Sequence, residues 1–277
     1  MPDNLGTGSF ASGLSYPESP RWRDGHLWIS DVHNFRLKSF ERHGQVAVDI
    51  SVPGRPAGTG FLPDGVLLVA TALNRKLSVV HHGALVEVAD LSHLARGLLN
   101  DMVVDRTGRA YVGDTGYDLG SGEPARPGRL ILVDLAGKAQ ILDDEVTFPN
   151  GLAITADGRT LLLAETFANR ITAYDIGDDG MVSGRRVYAE LPGPPDGICL
   201  DGEGGLWAAL LTKQAFVRID ADGRETHRYD CAPHNAVACA IGGEDGQTLY
   251  LCHAQVLPER AGYVSALQAP FRSAGLP

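Results

Sequence analysis

Six similar segments follow one another along the 277-residue chain, and this internal repeat constrains the fold more than any other feature. The segments begin near Tyr16, Pro56, Leu99, Phe148, Pro195 and Ala238, a period of roughly 40 to 50 residues. Each has a short first strand, a tight polar turn and an apolar second strand, and most show a third strand. Six such sheets arranged radially predict an all-β fold, a six-bladed β-propeller that spans residues 1–277 as a single domain.

Glycine ends the turn between the first and second strand of every segment, where it supplies the positive φ that a tight hairpin requires. An open sandwich or a linear array of sheets is the alternative, but a closed ring leaves fewer exposed strand edges. Residues Gly120 to Gly128 interrupt the period, and we expect an inserted loop that could border a pocket. The turns are Arg23-Asp24-Gly25, Pro63-Asp64-Gly65, Arg106-Thr107-Gly108, Ala156-Asp157-Gly158, Glu203-Gly204-Gly205 and Glu244-Asp245-Gly246.

The formal net charge of −10 disfavours nucleic acids and anionic membrane surfaces as partners. Neither a leader segment nor an apolar stretch of about 18 residues is recognisable, so we expect a soluble, cytoplasmic protein. Four cysteines without CxxC spacing lie in apolar stretches, which is typical of reduced, buried thiols. They are Cys199, Cys231, Cys239 and Cys252.

Residues at the same phase of each repeat should form a ring near the propeller axis. Counting back from the turn glycines gives Glu18, Ala57 or Gly58, Asn100 or Asp101, Asn150, Asp196 and a position near Cys239. Each residue alone fits a turn or strand cap, because Asn-Gly and Asp-Gly are common turn dipeptides. Their shared phase instead favours one site for a hard divalent cation such as calcium, which binds carboxylate and amide oxygens.

Other residues have simpler explanations. The histidines, including His33 and His253, lack the spacing of zinc sites, and no serine lies in a GxSxG context. Side chains near the ends of second strands are expected to cap loops rather than to catalyse; they are Asp31, Asp114 and Glu165. By position alone, Tyr117, Leu98 and His253 are candidates to line the channel mouth, and we assign Tyr117 and Leu98 to substrate binding.

Five motifs carry a resemblance that covers nearly the whole chain: Pro17-Glu18-Ser19-Pro20-Arg21-Trp22, Asn100-Asp101, Phe148-Pro149-Asn150-Gly151-Leu152, Pro195-Asp196-Gly197-Ile198 and Gly242-Gly243 before Thr248-Leu249-Tyr250. Together they resemble the SMP-30/gluconolactonase/LRE-like family, which includes regucalcin and lactone hydrolases. The resemblance implies a six-bladed propeller in which Glu18, Asn150 and Asp196 bind the metal directly. It places Asn100 beside the metal, toward the substrate, and implies that Asp196 is the general base.

A metal-dependent hydrolase that opens a sugar or small aliphatic lactone, or a related ester, with metal-activated water is the function implied by this resemblance. Calcium is the expected metal, with zinc, manganese, magnesium and iron(II) as alternatives. The alternatives to a lactonase are a calcium-binding or small-ligand-binding propeller without turnover, a phosphotriester hydrolase on the same metal centre, and an interaction scaffold. The partner is expected to be a small-molecule lactone or ester, and the oligomeric state is left open.

The chain departs from the family pattern at two positions. Leu98 stands where sugar-lactone members commonly have an arginine, two residues before the motif asparagine. An apolar Leu98-Leu99 pair favours a less hydroxylated lactone or ester, because each buried polar group of a substrate needs a partner. Ser19 stands where glycine is common, which changes the volume beside Glu18 without removing a ligand.

Overall fold

The structure is a computed structural model that describes residues 9–255 and 260–275. Its strands form six four-stranded antiparallel sheets, the blades of a propeller. The N-terminal strand is β1 (Ser9–Leu14). The prediction of an all-β, six-bladed propeller is confirmed.

Each blade is a meander of strands that runs outward from the axis. Blade 1 contains β2 (Pro17–Arg23), β3 (His26–Asp31), β4 (Arg36–Phe40) and β5 (Val46–Ser51), and blade 2 contains β6 (Pro56–Phe61), β7 (Leu67–Thr71), β8 (Lys76–His81) and β9 (Ala84–Asp90). Blade 3 contains β10 (Leu99–Val104), β11 (Ala110–Asp114), β12 (Gly128–Val133) and β13 (Ala139–Val146), and blade 4 contains β14 (Pro149–Ile154), β15 (Thr160–Glu165), β16 (Arg170–Ile176) and β17 (Val182–Glu190). Blade 5 contains β18 (Pro195–Leu200), β19 (Leu206–Leu210), β20 (Ala215–Ile219) and β21 (Glu225–Asp230), and blade 6 begins with β22 (Asn235–Gly242), β23 (Thr248–Gln255) and β24 (Ala261–Gln268). Short 3₁₀ turns occur at Val32–Asn34, Leu119–Ser121, Thr166–Ala168 and Leu211–Lys213.

Blade 6 closes the ring with strands from both ends of the chain. Its sheet order is β22-β23-β24-β1, so the N-terminal strand is its outermost strand. The pairing brings Leu14 opposite Gly262. The sequence repeat did not identify β1, and it placed the sixth segment at Ala238 although β22 begins at Asn235. Closure within one sheet joins the two ends of the described chain and leaves the ring without an open seam.

The core lies between neighbouring blades, where the apolar faces of successive sheets meet. Between blades 2 and 3, for example, Leu77, Leu91, Leu99, Met102 and Ile131 are almost completely buried. The outermost strands are mainly exposed, as the burial of β17 and β21 indicates. This alternation explains why the apolar second strands were recognisable in the sequence and the polar fourth strands were not.

The inserted loop before β12 is present and contains the Leu119–Ser121 turn. Arg126 ties it to the rest of blade 3, because its guanidinium donates to the backbone carbonyls of Gly116 and Arg96. All four cysteines are free thiols. No helix in residues 9–255 and 260–275 is long and apolar enough to cross a membrane.

Candidate functional site

A β-bulge interrupts the first strand of every blade at the position that the repeat singled out. The register between first and second strands shifts between Glu18 and Arg21 in blade 1, between Pro149 and Leu152 in blade 4, and between Pro195 and Ile198 in blade 5. A bulge re-aims side chains that would otherwise alternate across the sheet. The bulges therefore lie where Glu18, Asn150 and Asp196 face the axis.

The Asn-Gly and Asp-Gly dipeptides lie inside these strands and are not turns. A Cβ atom on Gly151 would lie 2.6 Å from the carbonyl oxygen of Asp196, and one on Gly197 would lie 2.5 Å from the Cβ of Ala238. Only glycine therefore permits the close approach of neighbouring first strands at the axis. Glycine follows Asn150 and Asp196 because the crowded channel leaves no room for a side chain there, and not because the chain turns.

Buried carboxylates at the ends of second strands fix the loops that carry the axial residues. Asp31 accepts hydrogen bonds from the backbone nitrogen and hydroxyl of Ser15, at 2.8 and 2.7 Å. Asp114 accepts from the backbone nitrogens of Arg96 and Gly97, and Glu165 accepts from that of Thr147. The capping role predicted for Asp31, Asp114 and Glu165 is confirmed.

Glu18 and Asp196 form an electrostatically coupled acidic pair at the axis, with Asp196 buried and Glu18 half-buried. Burial, followed by the negative charge of Asp101, raises the pKa of Glu18 to about 7, against the opposing effect of Arg55. Burial, followed by the charges of Glu18 and Asp101, raises the pKa of Asp196 well above its usual range. Neither carboxylate forms an ion pair with a cationic side chain in the described residues. The pair therefore concentrates negative charge in a poorly solvated place.

Polar groups from three blades surround Asp196. The Tyr16 hydroxyl lies 3.5 Å from Asp196 Oδ2, and the Asn150 side chain also hydrogen-bonds to this carboxylate. The amide nitrogen of Asn150 lies 3.2 Å from Thr166 Oγ1, and that hydroxyl donates to the carbonyl of Pro195 at 2.8 Å. The structure thus brings Glu18, Asn150 and Asp196 into one electrostatically coupled group.

Asn100 and Asp101, between which the repeat did not decide, have different surroundings. Asn100 lines the cavity and donates from its amide nitrogen to the carbonyl of Pro149 at 3.0 Å. Asp101 accepts from the Ser19 hydroxyl at 2.9 Å and lies 3.4 Å from the Arg21 guanidinium. Asn100 is therefore the member of the pair that lines the cavity, and Asp101 is tied to blade 1.

A cavity of about 140 Å³ is lined by one member of the acidic pair, Glu18, whereas Asp196 and Asn150 lie outside its lining. Tyr16, Glu18, Leu99 and Asn100 line it, together with the loop residues Val32, His33, Arg55, Pro56, Ala57 and Ala72. Arg55 was not among the predicted site residues, and His33 was set aside because it lacks the spacing of a zinc site. A comparison of the residues before all six first strands would have found Arg55, because it occupies in blade 2 the phase that Leu98 occupies in blade 3.

The three residues expected at the channel mouth by position alone do not line the cavity of about 140 Å³. Leu98 packs partly buried against the core between blades 2 and 3, and it is Leu99 that lines the cavity. Tyr117 is buried, with its ring 5.5 Å from that of Phe148. His253 is buried in blade 6, where its ring stacks on Tyr263 at 4.4 Å and Nε2 lies 2.7 Å from the Ser265 hydroxyl. Substrate contact by Leu98 and Tyr117 stays a prediction.

A larger cavity, of about 410 Å³, lies at the opposite end of the first strands. Its walls are the later residues of these strands, such as Leu152–Ile154, Ile198–Leu200 and Cys239–Gly243. Apolar side chains and backbone dominate this lining, and neither axial carboxylate belongs to it. The smaller cavity is therefore the better candidate for chemistry.

The chemistry of the axial residues fits a hard divalent cation. Two carboxylates and an amide oxygen are the donors that calcium prefers, and a dication would offset the repulsion between Glu18 and Asp196. No cluster of three or more His, Cys, Asp and Glu side chains suited to a metal occurs in the described part of the chain. The predicted set instead combines two carboxylates with an amide, and the metal itself stays a prediction.

The sequence profile described as SMP-30/Gluconolactonase/LRE-like region matches residues 16–255. The chain belongs to the SMP-30/gluconolactonase/LRE-like family. Among its relatives, the pentonolactonase XacC of Haloferax volcanii is 32% identical over 243 residues, which cover 84% of this chain and 80% of that protein. The 6-deoxy-6-sulfogluconolactonase of Pseudomonas putida is 27% identical over 243 residues, 84% of this chain and 81% of that protein.

Solved structures of this family share the fold. The calcium-binding protein regucalcin from Agrobacterium tumefaciens superposes with a TM-score of 0.79 and 21% sequence identity, covering 94% of this chain and 93% of that chain. The profile match over residues 16–255 confirms the family assignment made from the five motifs.

Proposed function

We propose that the protein is a metal-dependent hydrolase that opens a sugar or small aliphatic lactone, or a related ester, in the cavity that Glu18 and Asn100 line. One observation carries the proposal: the buried Asp196, the half-buried Glu18 and the amide of Asn150 form one electrostatically coupled group at the axis, in a chain whose relatives include lactonases. The proposed metal is calcium, because all the axial donors are hard oxygens.

Each residue has a distinct part in the proposed reaction. Glu18, Asn150 and Asp196 hold the cation, which when bound supplies Lewis-acid polarisation of the ester carbonyl. The Asp196 carboxylate accepts the proton of the attacking water, and the Tyr16 hydroxyl, 3.5 Å away, helps to orient that carboxylate. Asn100 presents its amide to the cavity and orients the lactone.

The experiment measures ester hydrolysis by chelated protein on a panel of sugar and aliphatic lactones, with calcium, zinc, manganese, magnesium or iron(II) restored separately. Wild-type protein is expected to recover turnover with at least one metal. Asp196→Ala is expected to lose at least about 100-fold in kcat, because a general base contributes on the order of 10²–10⁴.

Thr155→Ala provides a matched control, because Thr155 lies in the exposed turn after β14 and its hydroxyl bonds only within that turn. Unfolding curves of both variants establish that the propeller is intact. Full activity of a folded Asp196→Ala protein would exclude the assigned role. Tight calcium binding without turnover on any lactone or ester would instead favour a ligand-binding propeller.

A further inference from the structure

Arg55 is held over the cavity by a backbone conformation that is unusual for its residue type. It lies directly before β6 with φ of 68°, in the left-handed region that favours glycine. Its backbone nitrogen donates to the carbonyl of Val52 at 3.2 Å, and its own carbonyl accepts from the nitrogen of Ala72 at 2.8 Å. A strained residue that its surroundings fix so firmly is commonly one whose side-chain direction matters.

The guanidinium of Arg55 forms neither a hydrogen bond nor an ion pair in the part of the chain that the structure describes, although its charge lowers the pKa of Glu18. Nε is buried without a hydrogen bond, and the side chain forms no ion pair, although it lines the same cavity as Glu18. Arg75, directly before β8 of the same blade, shows the ordinary arrangement, because its Nε donates to the carbonyl of Gly97 at 2.6 Å. A buried guanidinium nitrogen without an acceptor is costly, which suggests that a ligand supplies the acceptor.

His33 lines the cavity together with Arg55. After burial, the charges of Arg260 and Arg55 lower the pKa of His33. Arg260 is exposed directly before β24 and is not among the residues that line the cavity. Arg55 is therefore the guanidinium that the cavity wall presents to a ligand.

We propose that Arg55 binds an anionic group that the substrate carries in addition to its lactone ester, so that the enzyme selects acidic lactones. The planar fork of a guanidinium matches the paired oxygens of a carboxylate or a sulfonate and always carries its charge. This inference rests on the proposed lactonase function and names its substrate class. Arg55 acts as a specificity-determining residue and takes no part in proton transfer.

Binding of ring-opened acids tests the inference without turnover. Calorimetry compares D-gluconate, which has one anionic group, with D-glucarate and 6-deoxy-6-sulfogluconate, which have a second at the far end of the same carbon chain. The titrations use metal-free and calcium-loaded protein. Wild type is expected to bind at least one dianion at least tenfold more tightly than gluconate, and the preferred dianion distinguishes a carboxylate from a sulfonate site.

The variants locate the effect. Arg55→Gln is expected to reduce the dianion preference at least tenfold, and Arg55→Lys, which keeps the charge, should retain part of it and serves if the glutamine variant does not fold. Arg36→Gln is the control, because Arg36 pairs with Asp49 on the outside of blade 1, and it should leave the preference unchanged. Equal affinity of wild type for mono- and dianions, or a preference that survives Arg55→Gln, would overturn the inference.

Turnover separates this inference from the proposed function. For wild type, the kcat/KM for an acidic lactone divided by that for a neutral one is expected to fall at least tenfold in Arg55→Gln. Lactone hydrolysis with no such discrimination would overturn the inference and leave the proposed function standing. An Arg55-dependent preference for dianions in a protein without lactonase activity would overturn the proposed function and retain the anion site.

Discussion

Two carboxylates that meet in a buried channel make the metal-free protein sensitive to pH. Glu18 and Asp196 both have raised pKa values, first because of burial and then because of neighbouring negative charge. A raised carboxyl pKa means that the folded state holds protons that the unfolded state has released. Stability is therefore greatest below the unfolded pKa and is lost as the pH rises through the folded one.

We expect the free energy of unfolding of metal-free protein to fall between about pH 4.5 and pH 7, the ordinary and the raised pKa of Glu18. Glu18→Gln removes one charge of the pair, so it should stabilise the metal-free protein at pH 7.5 by on the order of 1–3 kcal/mol. Urea unfolding of both proteins at pH 5 and pH 7.5 measures the effect. A glutamine variant that is less stable than wild type at pH 7.5 would contradict the assigned repulsion.

Ser19 and Arg55 show what the sequence can and cannot provide at the scale of single residues. Ser19 has a φ of 48°, which explains why glycine is common there, and its hydroxyl accepts from the backbone nitrogen of Thr59 at 2.8 Å. The phase of the repeat placed the axial residues correctly because equivalent positions converge in a ring. Arg55 was missed because the comparison of repeats began in blade 2 at Pro56, the first residue of its first strand, and Arg55 lies one position before it.

At the scale of elements, the site depends on loops that short buried carboxylates hold in place. Asp31 bonds to Ser15, directly before Tyr16 and Glu18, and it also pairs with Lys38 at 3.1 Å. Burial alone would raise its pKa, but hydrogen bonds from Ser15, Asn34 and Lys38 hold it below its usual value. The stabilisation is therefore present above the ordinary carboxyl pKa and is lost as the pH falls through the lowered one.

Asp31→Ala should destabilise the protein by on the order of 3 kcal/mol at pH 7, since it leaves the buried donors of Ser15 without an acceptor. The loss should shrink at pH 3, where wild type also begins to lose the charge. Asp49→Ala removes an exposed carboxylate from the same blade and should cost about 0–1 kcal/mol. Thermal unfolding at both pH values provides the measurement. Equal effects of the two substitutions would refute the stabilising role assigned to Asp31.

The bulges in the first strands were beyond the reach of sequence analysis. Turn glycines and apolar second strands have strong local signals, so the number of blades and most strands could be predicted. A bulge depends on how two strands from different blades approach each other, as with Gly151 against Asp196. The Asn-Gly and Asp-Gly dipeptides therefore mark axial positions because the packed channel requires glycine there, and not because the chain turns.

At the scale of the whole molecule, β1 joins the two ends of the described chain in one blade. β1 is the fourth strand of blade 6, but it precedes the first repeat in the sequence, which is why the sequence did not identify it. Leu14 is buried in the core of blade 6, and the ring of Phe10 meets that of Tyr250 edge-on at 5.1 Å. Stability of the ring should depend on this contact as strongly as on the cores between blades.

Leu14→Ala should lower the free energy of unfolding by about 2–5 kcal/mol, the usual cost of a cavity in a packed core. Leu119→Ala is its control, because Leu119 is 60% exposed in the inserted loop, and it should change stability by no more than about 0.5 kcal/mol. Urea unfolding followed by tryptophan fluorescence compares the two. A Leu14→Ala protein as stable as the Leu119→Ala protein would show that the ring does not rely on β1.

The central claim, that a divalent cation on the axial carboxylates makes this propeller a lactonase, is tested most directly by proton release. A pH-stat records lactone opening by chelated wild-type protein before and after one molar equivalent of calcium is added, with Glu18→Gln measured in parallel. We predict negligible enzymatic release before the addition, turnover after it in wild type, and little or none in the variant at the same calcium concentration. Turnover that is equal before and after calcium, or equal in wild type and Glu18→Gln, would contradict the claim.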